Sequence, residues 1–306
     1  MKKLNIFRIA MLCGGISLMA SCKKKEVEPI TEVVNVPDTL RRIIVIPNYD
    51  PSKGVLSLNF NHHFGDRPLE LGREYRSANK SFRFHQIRYW ISGVKLIRTD
   101  GSIYEVPDSY YFVEKFGGEY YISTTKRDTQ YVAPSTREEV IIGNIPVGDY
   151  RALTFNVGID SVKNSNFALK AGELDIDKMY SVASWVWKTS YIFSRVSGVM
   201  DSANLQYPFY FEAGANQNLR VITINLTTPL KSRAAKISYL HLKVDVSKVF
   251  EGINVVSLPS SQRLPTWAIH NYLAGTKTIN ASNAPMMSMY SNNVQNMFSF
   301  QKVVNQ

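Results

Sequence analysis

The stretch VLSLNFNHH, residues 55–63, alternates apolar and polar side chains over most of its length. Because successive side chains of a β-strand point to opposite faces of the sheet, Leu58, Phe60 and His62 share one face and His63 lies on the other. This pattern predicts a strand with one face in the core, and it places His62 at the end of the apolar face.

Similar short runs recur between Gly, Pro, Asn and Asp residues, and they are rich in the β-branched and aromatic residues that favour strands. No repeat with a period of about 20 to 50 residues is present, so a solenoid or a propeller is not expected. One helix is predicted, over 286–297. The pattern as a whole predicts an all-β fold, an antiparallel β-sandwich with long loops, whose candidate strands are 42–46, 55–63, 84–98, 110–113, 139–143, 150–157, 189–197, 207–213, 219–226, 237–246 and 297–304.

Residues 1–21 have the three parts of a secretory signal peptide. Lys2 and Lys3 give a positively charged start, an apolar run follows over 9–19, and small residues precede Cys22. The apolar run is shorter than the roughly 20 residues that a helix needs to cross a bilayer. We therefore predict export and removal of this segment.

The stretch LMASC, residues 18–22, resembles the lipobox of bacterial lipoproteins. The cysteine is required there because its sulfur carries the diacylglycerol, whereas an ordinary signal peptide would contain a cysteine only incidentally. On the lipoprotein interpretation, Cys22 is the lipidation site, 22–40 is a lipidated tether, and 41–306 is the folded domain. Several acyl chains on one residue make anchoring effectively permanent. We expect an outer-membrane lipoprotein that faces the periplasm, with surface exposure left open.

The chain has two cysteines, Cys13 and Cys22. The first leaves with the signal and the second is acylated, so the mature protein is expected to hold neither a thiol nor a disulfide. Thiol catalysis, thiolate metal sites and disulfide-scaffold folds are thereby excluded.

The formal net charge is +11 at pH 7, and the mature chain keeps +8 because three basic residues lie in the signal. The lysines and arginines are scattered, and an exported lipoprotein has little access to nucleic acid. No nucleic-acid partner is therefore expected, and the charge indicates solubility and affinity for a membrane surface.

Enzyme signatures are absent from the sequence, which contains no H-E-x-x-H, G-x-S-x-G or P-loop motif. Asp160 and Asp175 look like the paired carboxylates of a glycosidase. Each is flanked by turn-forming residues, however, and an Asx turn that caps a loop is the favoured interpretation. The protein is predicted not to be an enzyme.

Several motifs follow one another over about residues 55–304. Each is a weak signal by itself, since a turn of the N-x-P-x-G type, for example, is common in proteins. In their shared order they resemble the copper-binding MbnP-like family. The resemblance implies a β-rich periplasmic domain and a copper site built from histidines, in some relatives beside an oxidised tryptophan. The motifs are LNFNH (58–62), YWISGVKL (89–96), NIPVGDY (144–150), GIDS (158–161), GELD (172–175), WVW with the later YI (185–192) and MF (297–298).

The resemblance places family histidines at His62 and at the position of Glu212, where histidine has been replaced. The C-terminal H-x-H of many relatives is also missing, since 301–304 reads QKVV. Imidazole and thioether suit copper better than carboxylate does. His62 and Glu212 are the candidate metal ligands, and these departures predict weakened copper binding.

Each candidate has a structural alternative. His62 can equally be a hydrogen-bonded core histidine, and Glu212, which alternates with Phe211 on its strand, can be an edge or solvated carboxylate. Trp185 and Trp187 are alternative or neighbouring groups of the site, with core packing as their default role. Met287 could supply a thioether, although most methionines fill gaps in a core.

The leading hypothesis is a non-enzymatic, membrane-anchored lipoprotein that binds or handles copper, with an outer-membrane transport protein or a di-haem peroxidase as a possible partner. A carbohydrate-binding lipoprotein is the second hypothesis, in which surface aromatic side chains would stack on sugars. The third is a structural or partner-binding lipoprotein with a vestigial metal site.

Overall fold

The computed structural model describes residues 32–34, 42–44, 46–122, 129–167, 169–175, 178, 190–257 and 283–306. The chain divides into two compact units, Met1–Tyr49 and Asp50–Gln306. The predicted signal peptide and Cys22 lie outside the described residues.

In the first unit, β1 (Glu32–Val34) pairs antiparallel with β2 (Arg42–Ile44). Residues 42–44 of the candidate strand 42–46 therefore lie in this unit, and the second unit, called the domain below, begins at Asp50. The start of the folded domain at residue 41 stays a prediction.

The domain consists mainly of β-strands, which confirms the all-β class. The domain also has a short helix, α1 (Ser161–Asn164), and a longer one near its C-terminal end, α2 (Asn283–Gln295). The strands are β3 (Gly54–Phe64), β4 (Arg67–Pro68), β5 (Glu74–Ser77), β6 (Lys80–Arg98), β7 (Ile103–Glu105), β8 (Tyr110–Phe116), β9 (Glu119–Ile122), β10 (Thr129–Val132), β11 (Ser135–Arg137), β12 (Glu139–Ile145), β13 (Gly148–Val157), β14 (Ile192–Ser202), β15 (Leu205–Gly214), β16 (Arg220–Ser232), β17 (Ile237–Asp245) and β18 (Phe298–Val304).

The larger sheet is organised around β6, which is 19 residues long. Its main path is β11-β8-β6-β13-β16, and β5, β7 and β14 also pair with β6, while β15 pairs with β14. The smaller sheet has the order β12-β3-β17-β18, with β4 on β3, and β9 and β10 form a separate antiparallel pair.

One strand pair departs from the predicted antiparallel sandwich. β17 lies parallel to β3, with Leu240 opposite Leu58 and Leu242 opposite Phe60. A parallel pair needs a long connection that returns the chain to the same end of the sheet. Here the strands of the larger sheet lie between β3 and β17 in sequence and supply it, so the smaller sheet is mixed.

The core lies between the two sheets, and Phe60 joins them. Its ring on β3 is fully buried and contacts Tyr89 of β6, Phe155 of β13 and Phe298 of β18, with ring centroids 5.9, 6.0 and 6.3 Å away. These edge-to-face contacts add specific geometry to the burial of apolar area. The stretch 55–63 therefore forms the predicted half-buried strand.

The predicted helix over 286–297 is α2, which begins three residues earlier and ends at Gln295. Tyr290 and Val294 lie one turn apart on its buried face. Within the described part of the chain, no helix is long and apolar enough to span a membrane.

Candidate functional site

His62 lies near the end of β3 and points into the space between the two sheets. Its side chain is fully buried, as the alternation of the strand predicts. Phe60 and Phe64 lie on the same face of β3 and are buried beside it. The position is therefore part of an aromatic core.

Both ring nitrogens of His62 have hydrogen-bond partners. Nδ1 lies 2.6 Å from Oε1 of Glu138, and Nε2 lies 3.0 Å from the hydroxyl oxygen of Tyr89. Because an ionised carboxylate only accepts hydrogen bonds, we assign the ring proton to Nδ1, which leaves Nε2 to accept from the Tyr89 hydroxyl. A neutral imidazole thus joins β3 to β6.

Glu138 connects this histidine to the surface. Its second oxygen, Oε2, lies 2.8 Å from Nζ of Lys115, so the order of contacts is Tyr89, His62, Glu138, Lys115. Burial alone raises the pKa of Glu138, but the contacts with His62 and Lys115 outweigh it and lower that pKa. Burial lowers the pKa of His62, and Glu138 offsets this only in part. The stable state is a neutral His62 beside a Glu138 carboxylate that Lys115 neutralises.

We expect the free energy of unfolding to decrease as the pH falls below about 6.5, the ordinary pKa of histidine. The lowered pKa of His62 means that the unfolded chain binds this proton at a higher pH than the folded chain does. The stability that the neutral His62 contributes is therefore fully present above about pH 6.5. It is lost as the pH falls toward the lower pKa of His62 in the folded chain.

His85 and His241 also have pKa values lowered by burial, so the measurement must isolate His62. Urea unfolding between about pH 5 and pH 8 should show a smaller pH dependence for His62→Asn than for the unaltered chain. Equal slopes in both proteins would contradict the assignment.

Glu212 lies on β15 and is paired with Arg195 of β14. The two residues are direct cross-strand neighbours, and Nε of Arg195 lies 2.5 Å from Oε1 of Glu212. Both side chains are completely buried. Glu212 lies on an edge strand, as one interpretation expected, but it is not solvated, because the adjacent arginine compensates the buried charge.

The pair belongs to a row of four charged residues that crosses four strands. Arg195 lies opposite Arg88 of β6, and Arg88 lies opposite Glu114 of β8. Nε of Arg88 lies 2.9 Å from Oε2 of Glu114. Each arginine also lies over an aromatic ring, Arg88 over Phe116 at 4.3 Å and Arg195 over Tyr210 at 5.2 Å. We call Glu114, Arg88, Arg195 and Glu212 the charge row.

His62 and Glu212 lie on opposite faces of the larger sheet. His62 contacts Tyr89, which points into the core, whereas the neighbouring Arg88 belongs to the same face as Arg195 and Glu212. Adjacent residues of a strand point in opposite directions. The structure therefore does not bring the two candidate ligands together.

The described residues do not fit a copper ion held jointly by these two positions. A ring N–H that donates to a carboxylate does orient many metal-binding histidines. In this case Nε2 faces the Tyr89 hydroxyl in an aromatic core. Moreover, within the ranges that the structure describes, no group of three or more His, Cys, Asp or Glu side chains could hold a metal ion.

The other predicted site residues divide into two groups. Trp185 and Trp187 fall outside the described residues, as does Cys22. Met287 is partly buried on α2 and packs against the hydrophobic core, which is the gap-filling role.

The family model described as MbnP matches residues 53–266. This chain belongs to the MbnP family. Among solved structures, it is similar to MbnP from Methylosinus trichosporium at 15% identity and a TM-score of 0.42, over 83% of this chain and 99% of that one. No curated protein matches.

In this MbnP-family domain, the GIDS motif forms a loop cap. Oδ1 of Asp160 accepts hydrogen bonds from the backbone N–H groups of Val162 and Lys163 at the start of α1. The hydroxyl of Tyr110 donates to the same carboxylate. A side-chain oxygen at this position satisfies the free N–H groups of a helix N-terminus, as the Asx interpretation of Asp160 predicted.

The GELD motif packs against the edge of β8. Glu173 forms an ion pair with Arg137 and accepts a hydrogen bond from the backbone N–H of Phe112 at 3.2 Å. Gly172 has a φ of 51°, and a Cβ atom there would lie 2.4 Å from the carbonyl oxygen of Asp108. Only glycine fits such a close approach without strain.

Sequence reasoning did not identify Glu138, Arg195 or Arg88 as part of either candidate position. Glu138 precedes β12 and reaches His62 across 76 residues of sequence. The available signal was a single arginine flanked by apolar or strand-forming residues on each strand, Arg88 in β6 and Arg195 in β14. It became informative only with the register between the strands.

The carbohydrate hypothesis depended on exposed aromatic side chains. Of the aromatic residues that the structure describes, most are buried or half-buried, and Tyr131 is exposed by 55%. A stacking platform would need several such rings. The hypothesis stays a prediction.

Proposed function

We propose that this chain is a non-enzymatic lipoprotein of the MbnP family, anchored to the outer membrane through Cys22, whose copper handling is weaker than that of a site built from histidines. Family membership and the lipobox-like stretch support the location and the class of protein. The buried pair of Arg195 and Glu212 is the observation that carries the proposed weakening.

Charge and access both oppose a copper ion at these two positions. Glu212 stands where the resemblance places an imidazole, but its carboxylate is paired with a guanidinium, and a cation bound there would have to displace Arg195 from a buried position. A carboxylate is also a poor ligand for Cu(I). His62 is on the other face of the sheet, and both of its ring nitrogens are engaged.

The test is a Cu(I) titration of the mature chain in competition with a chelator. We expect weak binding that does not survive gel filtration, and we expect His62→Asn and Glu212→Gln to leave it unchanged. Glu212→Gln keeps the size of the side chain but removes its negative charge, and His62→Asn removes both imidazole nitrogens. Stoichiometric copper that survives gel filtration and is lost in either variant would overturn the proposal.

A further inference from the structure

One end of the domain is formed by the loop that precedes β3, the β6–β7 turn, the β12–β13 turn and the β16–β17 turn. The strand register brings these loops together, since Gly54 pairs with Ile145, Gly148 with Ser232 and Tyr150 with Arg98. We call this the tether end, because the chain from Cys22 joins the domain here, at Asp50.

Basic side chains are in excess at the tether end. Three carboxylates are present, and each is held by its own loop or by an arginine. Asp50 accepts hydrogen bonds from Ser52, Asp100 accepts them from Ser102, and Asp149 lies 2.8 Å from Nη2 of Arg233. Six basic residues lie in these loops and at the adjoining strand ends, twice the number of carboxylates: Lys53, Arg98, Arg151, Lys231, Arg233 and Lys236.

The opposite end of the domain has its charges matched. Ion pairs join most of its lysines and arginines to carboxylates, whereas at the tether end Arg151, Lys231 and Lys236 are exposed and Arg233 pairs with Asp149. The ion pairs of the opposite end are Arg73–Glu70, Arg76–Glu74, Lys243–Asp66 and Lys248–Glu251. The basic excess is therefore local to the tether end.

Exposed apolar side chains are found among these basic residues. Val147, at the tip of the β12–β13 turn, is 48% exposed, and Ile103, at the start of β7, is 59% exposed. Val304, which pairs with Tyr239 near the start of β17, is 44% exposed. Apolar tips among lysines and arginines are typical of surfaces that lie in a bilayer interface.

We propose that the tether end is a docking surface for a bilayer of anionic phospholipids. Arg151, Lys231 and Lys236, which are exposed, contact the lipid phosphates, and Val147 and Ile103 enter the interfacial layer. This inference rests on the proposed lipid anchor at Cys22. The anchor keeps the domain near the membrane, while the tether end decides which side of the domain faces it.

Vesicle binding tests the docking surface without the anchor. The mature chain carrying Cys22→Ser is mixed with phosphatidylcholine vesicles, with or without phosphatidylglycerol, and the bound fraction is measured by flotation. We expect binding to the anionic vesicles that weakens as salt is added. Each basic residue near the surface contributes about fivefold to partitioning, so Arg151→Gln, Lys231→Gln and Lys236→Gln together should reduce it about 100-fold.

Lys80→Gln, Lys243→Gln and Lys248→Gln together form the matched control, since they remove the same charge from the opposite end. Equal losses in the two triple variants, or no binding to anionic vesicles, would overturn the proposal. A third outcome would also overturn it: the chain does not bind vesicles but forms a dimer that depends on Arg151, Lys231 and Lys236. A second copy of the chain would then occupy the tether end.

A fluorescent probe tests the orientation. Relative to the unaltered chain, Val147→Trp should add tryptophan emission that shifts to the blue when anionic vesicles are present. Leu205→Trp, at the exposed tip of the β14–β15 hairpin, should add emission that does not shift. Equal shifts at both tips would overturn the inference. The anchor is tested separately in cells, where Cys22→Ser should abolish labelling of the protein with fatty acids. The two proposals can therefore fail independently.

Discussion

Replacing Glu212 by alanine is expected to lower the free energy of unfolding by about 3–5 kcal/mol. The substitution leaves the Arg195 guanidinium completely buried without the carboxylate that lies 2.5 Å from its Nε. A charge held in a low-dielectric interior is costly unless a partner compensates it. Urea unfolding of the purified chain measures the loss.

Two controls separate the charge from the volume of the side chain. The double variant Arg195→Met with Glu212→Leu should recover most of the loss, because it removes both charges and fills the space. Glu74→Ala, at the exposed Arg76–Glu74 ion pair, should leave stability essentially unchanged. A double variant as unstable as Glu212→Ala would show that the loss does not come from the unpaired charge.

Replacing Phe60 by alanine is expected to cost about 3–5 kcal/mol of stability. The ring is fully buried and contacts aromatic residues of both sheets, including Tyr89 and Phe155. Its loss would leave a cavity at the centre of the sandwich, and close-packed interiors relax only partly around such a cavity.

Val221→Ala is the matched control for this core substitution. Val221 also lies on a strand of the domain, but its side chain is 52% exposed, so the change should fall within about 0.5 kcal/mol. Thermal or urea unfolding checks both variants. A small loss for Phe60→Ala would contradict the role of this ring in joining the two sheets.

The resemblance to the family implies a histidine at the position of Glu212, and the charge row changes how this difference is interpreted. A carboxylate in place of an imidazole could have been a replacement ligand, a solvated group or a structural group. The direct neighbour on β14 is an arginine, and both side chains are excluded from solvent. The structural role follows from the pair of residues, not from Glu212 alone.

His62 illustrates the converse case. Its burial was predictable, because it continues the alternation of Leu58 and Phe60, but its partners were not. Tyr89 and Glu138 are 27 and 76 residues away in sequence. The choice between a metal ligand and a hydrogen-bonded core histidine depends on those two contacts.

The sequence by itself determined where most of the long strands lie and which face of each of them is buried. These properties are local, since the two-residue period of a strand reports the direction of each side chain. The tertiary structure alone decided which strands are neighbours. It placed β17 parallel to β3, Arg195 beside Glu212, and His62 on the other side of the larger sheet. Alternation along one strand carries no information about the register with a distant strand, which depends on how the whole core packs.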